Sequence, residues 1–221
     1  MASQLYVFDA YGTLFDVHSA VAAMRERIGP QAARLSDIWR TKQLEYTWVR
    51  TLAGAYMDFR ALTAQALDFA AAQCGGLDAR LRDDLLASYE TLAAYPDVHP
   101  ALERLEKQGI ATAILSNGSP SMLENATSAA RIGRLIGRTI SVDAIGRYKT
   151  AAEVYGLAIA RTGLEPAQVS FQSSNRWDIA GAKKFGFRTV WVNRTDQPDE
   201  YRDLAADFTI RSLSELAGLP G

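Results

Sequence analysis

Cysteine is nearly absent: Cys74 is the only one in 221 residues. One thiol cannot build an internal disulfide framework, and the scarcity fits a reducing compartment. Cys74 stands before Gly75-Gly76 at the end of an Ala-rich stretch, where a packed or partly exposed thiol is the ordinary outcome. Long hydrophobic runs are missing as well, so no membrane span is expected. After Met1-Ala2-Ser3-Gln4 the chain runs straight into Leu5-Tyr6-Val7-Phe8, too short and too poorly flanked for a secretory leader. A soluble, cytoplasmic protein is expected. Charge of either sign is not in excess: 24 basic residues stand against 25 acidic ones. No global field steers a polyanion, which argues against nucleic acid as a partner. An anionic substrate must instead meet a local basic pocket.

What is present is apolar. Hydrophobic residues make up 48% of the chain, enough to bury a core. Strand-like runs recur at Leu5–Phe8, Ile110–Leu115, Thr139–Val142, Val169–Phe171, Thr189–Val192 and Phe208–Ile210, most of them ending in small or polar residues. Several are continuous rather than alternating, as central parallel strands covered on both faces are. Helical patterns at Pro100–Lys107, Ala151–Thr162 and Asp178–Phe185 lie between them. This predicts an α/β fold, a Rossmann-like, doubly wound, mostly parallel sheet with ligands beyond the carboxyl ends of its strands. The stretch from Ser19 to Tyr95 holds no strand pattern. Leu35, Ile38, Trp39, Tyr46, Val49, Leu52, Ala53 and Tyr56 recur there at helical spacing. Further helical patterns follow at Ala61–Gln73 and Leu81–Leu92. The expected division is a core domain of residues 1–15 and 97–221 with an inserted helical cap domain, 16–96.

Four polar segments fall at strand ends or helix starts. In Phe8-Asp9-Ala10-Tyr11-Gly12-Thr13, a carboxylate follows a buried strand, a costly place unless it is used. Gly12 permits a sharp turn and Thr13 can donate to the carboxylate. Leu115-Ser116-Asn117-Gly118-Ser119-Pro120 delivers hydroxyl, amide and free backbone N–H groups to a helix start, an anion-binding arrangement. At Lys149-Thr150, Thr150 with Glu153 reads as a capping box, which places Lys149 just before a helix. The fourth is Ser173-Ser174-Asn175-Arg176-Trp177-Asp178. Each has an ordinary structural explanation, a cap or a solvated charge. Together in one α/β chain they point to one site.

This pattern resembles the haloacid dehalogenase superfamily over essentially the whole chain. Phosphatases of that superfamily carry Asp-x-Asp and a pair of acidic residues in the fourth segment, which together hold magnesium. Here Tyr11 and Ser174 stand at two of those positions, which disfavours a magnesium phosphatase. The strings Phe8–Val17, Trp39–Trp48, Ile114–Pro120 and Ser173–Asp178 are similar to the L-2-haloacid dehalogenase branch. Lys149-Thr150 replaces the usual Lys-Pro, and the stretch Arg131–Arg138 is more basic than the branch leads one to expect.

The resemblance implies a hydrolase that displaces halide from small 2-haloalkanoic acids, with no metal and no cofactor, as a homodimer. It implies that Asp9 attacks the α-carbon and expels halide, and that water then opens the ester. Lys149 compensates the charge on Asp9. Ser116 and the backbone N–H groups after it hold the substrate carboxylate. Arg40, with Asn117 and Trp177, meets the halide. Tyr11, Leu44 and Phe59 form an apolar wall that excludes water. Asp178, with Ser173 and Asn175, positions the hydrolytic water, and Thr13 and Tyr155 complete the catalytic set. Asp16, His18 and His99 are read as structural, because a carboxylate mechanism does not need them. A non-catalytic binding protein on the same scaffold is the rival of a different class. Joint retention of Asp9, Arg40, Lys149 and Asp178 argues against it.

Overall fold

A computed structural model describes residues 3–220, so Met1, Ala2 and Gly221, at the ends of the expected core domain, lie outside the described residues. The first strand, β1 (Leu5–Phe8), leads into a helical region: α1 (Ser19–Ala23), α2 (Arg25–Ile28), α3 (Ala32–Ala53), α4 (Phe59–Gln73) and α5 (Ala79–Tyr89). Then α6 (Val98–Lys107), β2 (Ala111–Ser116), α7 (Pro120–Ala129) and β3 (Arg138–Ser141) follow. The chain ends with α8 (Ala152–Thr162), β4 (Val169–Ser173), α9 (Arg176–Phe185), β5 (Arg188–Val192) and β6 (Phe208–Ile210).

The strands form one sheet in the order β3-β2-β1-β4-β5-β6, and every pairing is parallel. Val7, Phe8, Ile114, Leu115, Val169 and Phe171 have no exposure. Burial on both faces is why these runs are continuous in apolar residues; each such side chain stabilises the fold by about 1.5–3 kcal/mol. The chain winds outward from β1 to β3, then returns to start again at β4. Strand order therefore reverses between β1 and β4, where α/β sheets open a crevice beyond the strand ends. Asp9 follows β1 and Ser173 ends β4, so both flank that crevice.

Local rules set the helix ends. Asp58 accepts from Ala61 N at 3.0 Å to start α4, and Asp78 from Leu81 N at 2.8 Å to start α5. The long α3 stops at Gly54, whose φ of +65° suits glycine. No described helix is long and apolar enough to cross a membrane.

Two readings need correction. Thr150 does not cap α8. The helix starts at Ala152 after Ala151, without a side-chain cap. Glu153 pairs instead with Arg147 at 2.9 Å. The chain is held outside the helix, because the Tyr148 and Lys149 N–H groups donate to Thr51 Oγ1 and Asn117 Oδ1, each at 3.0 Å. The helical spacing also stops short of Tyr56: α3 ends at Ala53, and Val49 and Leu52 on it are 55% and 87% exposed. In the basic stretch, Arg134 lies 3.4 Å from both Glu103 and Glu106 of α6, and Arg138 donates to the Arg161 carbonyl. Cys74 is half-buried and free.

Candidate active site

The turn after β1 folds back on itself. Gly12, with φ of +94°, lets the chain reverse, and Leu14 and Phe15 N donate to the Ala10 carbonyl at 2.9 and 3.0 Å. That turn puts the Thr13 hydroxyl on Asp9 Oδ2 at 2.9 Å, while Thr13 Oγ1 accepts from Ser174 N at 2.8 Å. Asn175 Nδ2 and Ser173 Oγ reach the same oxygen at 2.7 and 3.3 Å. The other oxygen, Oδ1, accepts from Lys149 Nζ at 2.9 Å. Asp9 is thus 5% exposed with both oxygens engaged, as a buried charge requires.

Lys149 bridges two carboxylates. Its ammonium also donates to Asp178 Oδ2 at 2.7 Å, and Tyr155 Oη donates to Asp178 Oδ1 at 2.8 Å. Asp178 lies in the first turn of α9, three residues after the N-cap Asn175, so α9 begins earlier than its periodicity indicated. Burial alone would pull the Lys149 ammonium down, but Asp178 and Asp9 outweigh it and hold the lysine above its ordinary value. Burial pushes the Asp178 carboxyl up to about 6, with Lys149 opposing and Asp9 reinforcing the shift. These directions agree. Two buried carboxylates share one ammonium, so the excess negative charge both holds the lysine proton and makes one carboxylate harder to ionise. Burial, then Asp178, raises Tyr155 well above the ordinary phenol, which keeps it a donor.

Arg40 arrives from α3. Its Nη2 donates to the Tyr11 carbonyl at 3.0 Å and to Asn175 Oδ1 at 3.3 Å. Asn175 therefore touches both Asp9 and Arg40. Asn117 and Trp177 are not hydrogen-bonded to Arg40: Asn117 Oδ1 serves Lys149 N, and Trp177 packs edge-on against Trp48 of α3, centroids 5.7 Å apart. Ser116 is fully buried and accepts from Gly118 N at 3.0 Å. Gly118 has no room for a side chain, since a Cβ there would sit 2.6 Å from the Tyr11 ring. Tyr11 stacks on Tyr89 and tilts against Phe59, with centroids 5.7 and 5.3 Å away. Its hydroxyl is buried and has no hydrogen-bond partner among the described residues. Leu44, one turn on from Arg40, is half-buried. A cavity of about 810 Å³ opens beside the site, lined by residues including Trp48, Leu52, Lys149 and Trp177.

The residues set aside as structural make local contacts. His18 is exposed with its ring 2.7 Å from Ser36 Oγ, and Asp16 accepts from His18 N at 2.9 Å. Sequence reasoning missed three buried residues behind Arg40, namely Gln43, Thr63 and Tyr89. It also missed Arg194, which donates to the Thr13 carbonyl at 3.0 Å. Only Gln43 left a trace, by lying three residues after Arg40 on the same helix.

A parallel 3-2-1-4-5-6 sheet with a carboxylate after β1 and a lysine bridging it to a second carboxylate defines a hydrolase site of one family. The chain belongs to the haloacid dehalogenase-like hydrolases, whose family model matches residues 4–186. Within that family it stands with the (S)-2-haloacid dehalogenases. It is 46% identical to (S)-2-haloacid dehalogenase 4A of Burkholderia cepacia, over 95% of this chain and 91% of that protein. It is 47% identical to (S)-2-haloacid dehalogenase 1 of Pseudomonas sp. strain CBS-3, over 96% and 94%. Its fold superposes with a TM-score of 0.91 on the L-2-haloacid dehalogenase of Xanthobacter autotrophicus with chloropropionic acid covalently bound. That pair shares 34% identity, covering 98% of each chain.

Proposed function

We propose that this enzyme hydrolyses small (S)-2-haloalkanoic acids to (R)-2-hydroxy acids through a covalent ester on Asp9, without a metal. The observation that carries the reading is Asp9 itself, a buried carboxylate fixed by Thr13, Ser173, Asn175 and Lys149 beneath an arginine from the helical insertion. Fixing the attacking group supplies the orientation that in-line displacement needs. Asp9 forms a bond to the α-carbon as the carbon–halogen bond breaks, and halide leaves toward Arg40. Water then adds to the Asp9 carboxyl carbon. Asp178 takes one of its protons and, as the ester bond breaks, passes it on to the departing hydroxy acid; the second proton is released to solvent as Asp9 returns to its carboxylate. Ser116 with the N–H groups after it is assigned to the substrate carboxylate, and Tyr11, Phe59 and Leu44 to the apolar wall.

Metal independence is supported by the donors present. No group of three or more His, Cys, Asp or Glu side chains capable of holding a metal occurs among the described residues. Asp9 and Asp178 are already joined by an ammonium. Ser174 has a hydroxyl where the resemblance to phosphatases calls for a carboxylate. We further assign residues 1–15 and 97–221 to a core domain and 16–96 to a cap that brings Arg40. We also propose a homodimer, which the exposed Val49 and Leu52 of α3 support, since apolar surface gains from removal from water. A cytoplasmic setting is supported by the single cysteine.

The test is halide release from both enantiomers of 2-chloropropionate after dialysis against a chelator. The reading expects release from the (S) acid only, giving (R)-lactate by one inversion. Loss of activity restored by magnesium, or a racemic or retained product, would contradict it.

A further inference from the structure

Behind Arg40 stands a buried polar chain that none of the roles assigned above uses. It begins at a backbone group. Thr63 Oγ1 donates to the Phe59 carbonyl at 2.7 Å, one turn back on α4. That uses the only hydrogen of the hydroxyl, so Thr63 can otherwise only accept. Gln43 Nε2 donates to it at 2.7 Å. With the amide nitrogen committed there, Gln43 turns its oxygen the opposite way. Oε1 accepts from Arg40 Nη1 at 2.8 Å and from Tyr89 Oη at 3.1 Å. A helix carbonyl thus sets the direction of the whole chain. Gln43, Thr63 and Tyr89 are 1%, 2% and 3% exposed, so reversing the amide would leave buried groups unmatched.

The second observation is charge. The other contacts of Arg40 are the Tyr11 carbonyl and Asn175 Oδ1. No carboxylate among the described residues lies within 4.0 Å of its guanidinium. Arg40 is therefore held by three neutral oxygens. Its place is fixed and its charge has no direct ion-pair partner, whereas Lys149 is shared between two carboxylates.

We infer that Gln43 is a positioning residue that aims the Arg40 guanidinium at the departing halide while leaving its charge free for that anion. The inference rests on the dehalogenase reading above. A glutamate at this position would anchor Arg40 but neutralise it. An apolar residue would leave it loose.

The test compares Gln43→Glu and Thr63→Val with wild type in the full chain. Thermal midpoint, inhibition by bromide, and kcat on chloroacetate against bromoacetate are measured. Gln43→Glu keeps the contact with Arg40 but loses the donor to Thr63, so its midpoint falls by several degrees while the chain still folds. The inhibition constant for bromide rises about tenfold or more. The kcat falls further for chloroacetate than for bromoacetate, because the poorer leaving group asks more of the cation. Thr63→Val frees the amide to turn, and bromide inhibition weakens severalfold with the same halogen bias. A packing role alone would slow both substrates equally and leave bromide inhibition unchanged. A folded Gln43→Glu with bromide inhibition and halogen ratio within about twofold of wild type would overturn the inference. If that variant does not fold, the same result in Thr63→Val overturns it. A wild-type chain that releases no halide from either acid would defeat the dehalogenase reading instead.

Discussion

The two sides of the site treat their charges in opposite ways. On the sheet side, Asp9, Lys149 and Asp178 are buried and hold one another at 2.7–2.9 Å. On the helical side, Arg40 is half-buried and meets only neutral oxygens. A buried charge must be paired to be tolerated, because desolvation is costly and only a close partner offsets it. An arginine that is to receive an anion during turnover must not be paired beforehand. In the proposed reading, the sheet side fixes the reacting groups and the helical side leaves one charge waiting. Their link is Asn175, which donates to Asp9 and accepts from Arg40.

The comparison breaks most severely at Lys149. Lys149→Met would leave two carboxylates facing each other in a buried site. Turnover should be lost, and stability should fall by about 3–5 kcal/mol at pH 8. The loss should shrink at pH 5, where the carboxylates take up protons. Urea unfolding at both pH values reads this. An equal loss at both would remove the carboxylate repulsion from the account.

Arg40→Ala is the opposite case. Halide release should fall roughly a hundredfold or more. The urea midpoint should barely move, because Gln43 Oε1 keeps Tyr89 and water can reach a half-exposed position. A large loss of stability would show that Arg40 is structural after all.

The smallest effect sharpens the sheet side. With Asp178 raised to about 6, its carboxyl is protonated below that pH and cannot accept a proton from water. Ester hydrolysis should fall about fivefold between pH 6 and pH 5. Asp178→Asn should be slow throughout, lose that slope and accumulate modified Asp9. The stability sign follows from the same shift. Between the ordinary carboxylate value and about 6, the folded chain holds a proton here that the unfolded chain has released. The Asp178 contribution to stability therefore falls as pH rises through that window. Asp178→Asn should weaken this decline, as read by unfolding across pH 4–7.

This contrast also explains what could be read in the chain. Asp9 and Ser116 were legible because a polar residue at the end of a buried apolar strand is costly, and so conspicuous, whereas Lys149 and Asp178 showed only as charges at helix starts. The strands were legible because burial on both faces leaves continuous apolar runs, as in Leu5–Phe8. Gln43, Thr63 and Tyr89 were not legible. A glutamine, a threonine and a tyrosine on amphipathic helices are ordinary residues, and their value lies in meeting across α3, α4 and α5. Leu52 lies on α3 as its spacing indicated and is exposed, because helical periodicity gives the spacing of a face but not what covers it. The start of α8 was misjudged because tertiary bonds to Thr51 and Asn117 outweighed a local capping signal.

The central claim is that Asp9 carries the substrate as an ester. A single turnover in heavy-oxygen water tests it most directly, with enzyme in excess over (S)-2-chloropropionate and mass analysis of both lactate and the peptide that holds Asp9. Water that attacks the ester carbonyl leaves its oxygen on Asp9, so the peptide should gain mass and the first lactate should stay unlabelled. Labelled lactate with an unlabelled Asp9 peptide would mean that water attacks the α-carbon itself. Asp9 would then be a general base, and the covalent account would be wrong.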